Sequence, residues 1–239
     1  PTLDEPEAES FPTVAIAEPV GWAEDEVPTA AEGLAVTRFA DGLDHPRTLQ
    51  ALPNGDILVS LTQSPKLGGG ESNWLRDLIA GFLFRKAGAG GDSANQLVLL
   101  RDGDGDGVAE GRFFLRDDLD SPSGLAWGDD TLYVANTDAL MAFPYKEGDT
   151  RISAAGRKII DLPAQSPNQH WTRSMVASPD GLLYIGVGSN SNIGENGLER
   201  ERNRAVVFEV NPRNGYKRVF ASGLRNPVGL AFEPKSGAL

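Results

Sequence analysis

From residue 39 onward the chain repeats itself, and a recurring unit constrains a fold more tightly than any single motif does. Four segments align without gaps in their first ten residues: "GLDHPRTLQALPNGDILVS", "DLDSPSGLAWGDDTLYVAN", "NQHWTRSMVASPDGLLYIG" and "GLRNPVGLAFEPKSGAL". In each, a loop leads into a short apolar stretch, then a turn of the Pro-Asn-Gly or Pro-Asp-Gly kind. A second β-rich stretch follows, such as Ile57 to Val59 or Leu183 to Ile185. That pattern predicts a hairpin. The register holds, because Pro46 to Pro53, Pro122 to Asp129, Thr172 to Pro179 and Pro227 to Pro234 are all seven residues apart. Successive anchors lie 76, 50 and 55 residues apart. A four-stranded propeller blade needs about 40–50 residues.

The expected fold is therefore all-β, a β-propeller, with outer strands supplied by "NQLVLLRD", "LMAFPY", "RKIIDLP" and "AVVFEVNP". The long first interval predicts an insertion over residues 64–95, in which Trp74, Leu75, Leu78, Ile79, Phe82 and Leu83 fall at helical spacing. About four blades are accounted for, and the chain ends at "KSGAL", just after a hairpin turn. Propellers close with about four to eight blades. The expectation is thus a partial propeller over residues 34–239, six-bladed when complete, with its C-terminal blades missing and one inserted helix. Residues 1–33 are rich in Pro, Ala, Glu and Asp without sustained periodicity, which predicts an acidic arm; Val14, Ile16 and Trp22 are the residues able to pin it.

Composition narrows the function. With 34 acidic against 22 basic side chains the net charge is −12, which argues against nucleic acid or an anionic membrane surface as the main partner. There is no cysteine, so no disulfide, thiolate metal site or cysteine nucleophile exists in these residues. No apolar run approaches the roughly 20 residues of a membrane span. The N-terminus lacks a signal pattern, as a mature exported form would.

His170 is one of two histidines, and in the repeat alignment it stands where Asp44, Asp120 and Arg225 stand in the other segments. Equivalent loops of a propeller converge on one mouth of the central channel. His170 and Arg225 are therefore expected at one site, where an imidazole titrating near neutrality suits a general base. The competing reading is a loop histidine satisfied by hydrogen bonds. "DGDGDGVAE" places Asp102, Asp104 and Asp106 at alternate positions before Gly107, the first half of a calcium loop. Position twelve is Phe113 rather than Glu, and Glu110 falls at position nine. Calcium and plain exposed Asp-Gly turns both fit. "GSNSNIGENG" either lines the pocket through Asn190 or Asn192 or merely connects.

"LRDGDGDGVAEGRFF", "NQHWTRSMVASPDGLLYIGVGSNSNIGENG" and "ASGLRNPVGLAFEP" resemble the soluble sugar and sorbosone dehydrogenases that use pyrroloquinoline quinone (PQQ), and "FRKAGAGGDSANQLVLLRD" is similar to the sorbosone-dehydrogenase-like branch. The resemblance covers residues 34–239. It implies a six-bladed propeller exported to the periplasm or secreted, with PQQ and calcium as cofactors. It implies oxidation of a small-molecule substrate, a sugar or sugar-derived aldehyde such as sorbosone or an aldose; the electron acceptor stays open. A histidine nine residues before the turn proline is that family's base, and His170 to Pro179 has this spacing. The pair Arg225-Asn226 matches the family's quinone-binding Arg-Asn. Arg173 follows His170 by three residues, where the family's arginine follows by one, and is carried as a further cofactor contact, with Trp171 as a stacking partner. By the same resemblance a family glutamine would fall near Ser121, where this sequence has none, a departure that counts against glucose as the substrate, and the cofactor-linked calcium ligands would lie beyond Leu239. Two other functions are consistent with such a propeller: a calcium-dependent lactonase, which needs a Glu, Asn and Asp set around one ion, and a non-catalytic ligand-binding module.

Overall fold

The computed structural model describes residues 16–24, 26–65, 78, 81–83, 85–88 and 92–239. It divides into two compact units, Pro1–Glu26 with Ser72–Gly91, and Val27–Glu71 with Asp92–Leu239.

The second unit carries three four-stranded antiparallel sheets, each built from strands in sequence order. The first is β1 (Pro46–Ala51), β2 (Ile57–Leu61), β3 (Gln96–Arg101) and β4 (Gly111–Arg116). The second is β5 (Gly124–Gly128), β6 (Thr131–Ala135), β7 (Ala139–Pro144) and β8 (Arg157–Asp161). The third is β9 (Met175–Ala177), β10 (Leu183–Val187), β11 (Val206–Val210) and β12 (Lys217–Ser222). The first strands of successive sheets touch, β1 against β5 and β5 against β9. This is a β-propeller fragment of three blades, with the first strand of each innermost.

Hairpin turns follow the sequence pattern. The backbone N–H of Gly55 donates to Leu52 O at 3.0 Å and that of Gly181 to Ser178 O at 3.0 Å, while Asp129 and Asp130 both adopt left-handed backbone, as a two-residue hairpin between right-twisted strands requires. The fourth anchor segment corrects the expectation of about four blades. Its turn closes, Glu233 N–H to Ala238 O at 2.8 Å, but it forms no strand, since a strand needs a hydrogen-bonded partner and the described residues supply none.

Middle strands sit between blades and are apolar on both faces, which explains unbroken runs such as "ILVSL" and "QLVLL". Leu58, Leu97 and Leu99 pack against Leu132, Val134 and Phe143 of the second blade. Leu140 and Leu162 pack against Leu183, Ile185, Val206 and Phe208 of the third. The opposite face of the first blade, Val59, Leu61, Val98 and Leu100, is covered by Phe39, Ala40 and Leu43. The outermost strands β4 and β12 went unread in the sequence because their burial alternates or fades. In every blade the pairing of the outer two strands carries a register shift, at Leu97/Val98, Leu140/Met141 and Val207/Phe208, a twist that blunts the exposed edge.

In the first unit, Leu78, residues 81–83, Arg85 and Lys86 are helical, in keeping with the inserted helix. Leu78 and Phe82, one turn apart, are exposed. Trp74, Leu75, Ile79 and Val14 lie outside the described residues. Residues 16–23 form neither helix nor strand, and Trp22 is exposed. Lys86 pairs with Glu18 at 3.3 Å. No described helix is long and apolar enough to cross a membrane.

One ion pair braces the first blade. Asp56, 2% exposed, accepts from Arg101 Nε and Nη2, both at 2.6 Å, across β2 and β3. The Arg101 hydrogen bonds hold its carboxyl below the usual carboxylate range, against the opposing cost of burial. A carboxyl lowered on folding stabilises the fold fully above its unfolded pKa, and that contribution disappears as pH falls through the folded value. Asp56→Asn is expected to cost about 1–3 kcal/mol at pH 7, the loss of a charged hydrogen-bond partner in a buried place. Denaturant unfolding at pH 7 and at pH 3 checks it: the gap between wild type and variant should shrink at the lower pH.

Candidate active site

The loops that enter the inner strands lie on one rim of the fragment. Residues preceding the repeat prolines sit in strained backbone in the first two repeats, with His45 at φ 50° and Ser121 at φ 46°. Side-chain hydrogen bonds then tie each repeat to the next. Thr48 Oγ1 donates to Ser123 O at 2.8 Å, the Arg173 backbone N–H donates to Ser123 Oγ at 2.7 Å, and Ser174 Oγ donates to Pro227 O at 2.6 Å.

Glycines permit this approach. A Cβ on Gly124 would collide with Arg173 O, and one on Gly186 would come within 2.6 Å of Pro227 O. Gly188 matters most, because a Cβ there would lie 2.5 Å from both His170 Cβ and Asn226 Oδ1. The missing side chain brings the third and fourth repeats together at one spot. Ser189 N–H donating to Arg225 O at 2.8 Å locks them in register. His170 and Asn226, 56 positions apart in sequence, thus flank a single glycine.

His170 is 8% exposed, and its Nδ1 lies 2.9 Å from Ser189 O and 2.9 Å from Ser189 Oγ. The hydroxyl spends its only proton on Ser191 O at 2.7 Å. Both oxygens facing Nδ1 are therefore acceptors, and Nδ1 must carry the proton. In the neutral ring that leaves the lone pair on Nε2, which has no partner among the described residues. This is the tautomer that a general base needs.

Asn226 keeps Oδ1 buried against Gly188, without a hydrogen-bond partner among the described residues. Arg225 is exposed, and its guanidinium grips Asn192, Nε to the backbone carbonyl at 2.9 Å and Nη2 to Oδ1 at 3.0 Å. Of the two asparagines singled out in the Gly-rich loop, Asn192 thus orients Arg225. Asn190 is fully buried and ties Gln165 O to the loop at 3.0 Å.

Two sequence-predicted contacts are placed differently. Arg173 is 0% exposed and donates to three backbone carbonyls, His170 O at 3.0 Å, Thr172 O at 2.9 Å and Pro163 O at 2.6 Å. Spacing alone does not reveal that it turns inward beneath the loop. Burial, with Arg204 beside it as a second cause, pushes its pKa down to about 9, so it stays charged at neutral pH. Trp171 is buried, and the Arg47 guanidinium lies 4.7 Å from its ring centroid. One of its faces is therefore already used in a cation–π contact. Sequence reasoning missed Ser189, Gly188 and Arg204 altogether; of these, only the Gly-Val-Gly at the end of an apolar strand signalled a close backbone approach.

The acidic loop stands apart, between β3 and β4 on the outer side of the first blade, whereas His170 precedes the inner strand of the third. Asp102, Asp104, Asp106 and Glu110 each offer a carboxylate oxygen within 4.8 Å of the others. Backbone N–H groups already serve several of them, Gly105 and Gly107 to Asp102 at 2.6 and 2.9 Å, and Gly103 to Glu110 at 2.9 Å. Those bonds hold the Asp102 carboxyl below the usual range, so it stays ionised.

Residues 97–239, more than half of the chain, match the family model described as TrAA12-like. No curated protein sequence matches. Among solved structures, the chain is similar to the holo form of the pyranose dehydrogenase PQQ domain from Coprinopsis cinerea, at 17% identity over 85% of this chain and 45% of that one, with a TM-score of 0.62. It is also similar to the iodide and calcium structures of Trichoderma reesei Carbohydrate-Active Enzymes Family AA12. The first has 17% identity over 95% of this chain and 50% of that one, TM-score 0.61; the second has 16% over 88% and 44%, TM-score 0.53. The chain spans about half the length of these structures. At such identities the likeness is one of fold.

Gly188→Ala should separate site from fold. It is expected to lower thermal stability by about 1–3 kcal/mol, the cost of overpacking, and to displace Asn226 from His170. Backbone amide shifts mapped by NMR are the check: changes should concentrate at 168–172, 188–192 and 224–228 and spare the first blade.

Proposed function

The chain belongs to the TrAA12-like family, and from that premise we propose that it works as part of a quinoprotein oxidoreductase that oxidises a sugar or sugar-derived aldehyde with PQQ. The observation that carries this reading is the meeting of His170 and Asn226 across Gly188, with Nδ1 of the imidazole already committed to Ser189.

The residues at the mouth fit a flat cofactor rich in carbonyl and carboxylate oxygens. Arg225 and Asn226 would hold its oxygens, since a guanidinium oriented by Asn192 and a side-chain amide are donors suited to oxygens that gain negative charge. When bound, PQQ supplies the hydride acceptor. His170 Nε2 takes the proton from the sugar hydroxyl on the carbon being oxidised, and the Ser189 oxygens steady the imidazolium through Nδ1–H. Arg173 supports the loop from beneath, and Trp171 packs under Arg47. Substrates in view are aldoses and sorbosone, in keeping with the chain's resemblance to that branch, and a periplasmic or secreted location fits the same resemblance.

His170→Ala is expected to retain PQQ binding, followed by absorbance titration, while turnover falls about 10²–10⁴-fold, the usual worth of a positioned base. Turnover close to wild type would remove His170 from that role.

Calcium is proposed for Asp102, Asp104 and Asp106, with Glu110 as a fourth ligand. Isothermal titration with calcium should show one site that Asp104→Asn weakens at least about 10-fold, because hard cations depend on the number of carboxylate ligands. An unchanged isotherm in the variant would reduce the loop to an exposed turn.

A further inference from the structure

Arg204 is 3% exposed, and among the described residues it makes no direct ion pair, Glu201 acting on it only through charge. An unpaired guanidinium is costly to bury, so its hydrogen bonds identify what it serves. Nε donates to Gly188 O at 3.0 Å and Nη1 to Pro163 O at 2.9 Å. Nη2 reaches Asn168 Oδ1, Ser189 O at 3.3 Å and His170 O at 3.5 Å. These acceptors belong to the two stretches of chain that define the imidazole: the loop 163–170 that carries it, and residues 188–189, which supply its Nδ1 partner.

The backbone delivers Arg204 to this position under strain. Asn203 and Ala205, on either side of it, both lie in the left-handed region, at φ 60° and 55°. For alanine that conformation costs about 1 kcal/mol or more, and such strain persists where surrounding structure demands it. Just before it, the 3-10 turn Leu198–Glu201 holds Glu201, whose carboxylate accepts from Asn190 N–H at 2.7 Å and Ser191 N–H at 3.2 Å. One short segment therefore grips the 188–191 loop twice, once through a carboxylate and once through a guanidinium.

We propose that Arg204 is the positioning residue that fixes His170 in its Nδ1–H tautomer, by clamping the carbonyl of the loop that carries the ring and the Ser189 carbonyl that the ring donates to. This rests on His170 serving as the base, but it concerns the state of the ring before any substrate or cofactor arrives. Arg173 contributes a second clamp at His170 O without reaching Ser189, so it cannot replace Arg204 at the acceptor side.

The test uses long-range ¹H–¹⁵N correlation of the histidine rings in the intact protein, with the His170 signals assigned by their loss in His170→Gln. Wild type should show a single Nδ1–H form for neutral His170. Arg204→Lys preserves charge and bulk but replaces a planar fork with one point donor, and should give a mixture of the two tautomers. Turnover in that variant should fall about 10–100-fold, the range seen when a partner that orients a working histidine is lost, with PQQ affinity within about twofold of wild type. Arg204→Met should show both effects more strongly. If Arg204→Met fails to fold, the lysine variant decides the matter. A single Nδ1–H form in Arg204→Lys overturns the proposal even when His170→Ala is inactive, whereas an active His170→Ala overturns the base reading and leaves the tautomer result standing.

Discussion

The candidate site depends on one close approach, that of the fourth repeat to the third across Gly188. With no side chain at that position, the Ser189 N–H can reach Arg225 O, and Asn226 can lie against the same glycine as His170. Any Cβ would push the two repeats apart by more than the tolerance of a hydrogen-bonded site, which is a few tenths of an ångström. Gly186 performs the same service at that junction against Pro227, and Gly124 does so between the second and third repeats against Arg173. The propeller is thus assembled by apolar faces between its middle strands and aligned by backbone contacts at its inner rim.

Two kinds of force act at different radii. Between blades, leucine, isoleucine and valine side chains supply non-directional burial, which tolerates volume-conserving exchange. At the rim, hydroxyls and guanidinium groups bond to carbonyls and set direction. Thr48, Ser123 and Ser174 stitch neighbouring repeats, while Arg173 and Arg204 hold the underside of the His170 loop. Neither arginine forms a direct ion pair among the described residues, and both lose basicity through desolvation before any other cause, with Asp138 acting on Arg173 and Glu201 on Arg204 only through charge. Backbone carbonyls take most of their hydrogen bonds. Among the described residues, Oδ1 of Asn226 is left buried without a hydrogen-bond partner, as are Gln169 Oε1 and Arg173 Nε nearby.

Much of the fold was legible because its signals are local. The seven-residue spacing from anchor to turn, the Asp-Gly and Asn-Gly turns and the unbroken apolar runs each depend on a few adjacent residues, and β1 to β3, β5 to β8, β10 and β11 follow from them. The edge strands β4 and β12 escaped notice, since "GRFFLR" and "KRVFAS" face solvent along much of their length and lack a two-sided apolar pattern. The fourth repeat reads as a hairpin, yet it forms no strand, because a strand needs a hydrogen-bonded partner and the described residues supply none. The inward turn of Arg173 and the packing of Trp171 against Arg47 were not legible, since spacing within a loop says nothing about which way a side chain turns.

By itself the sequence determined the repeat, the turns, the middle strands and the identity of the residues at equivalent loop positions, His170 and Arg225 among them, because hydrophobic period and turn chemistry act over a handful of bonds. Only the tertiary structure decided which of those residues meet. It set His170 beside Asn226 across Gly188, chose the protonated nitrogen through Ser189, and brought Arg204 from a strained turn 34 positions later to grip both sides of the ring. Tautomer and orientation are properties of contacts between distant segments, and they exist only once the blades have packed.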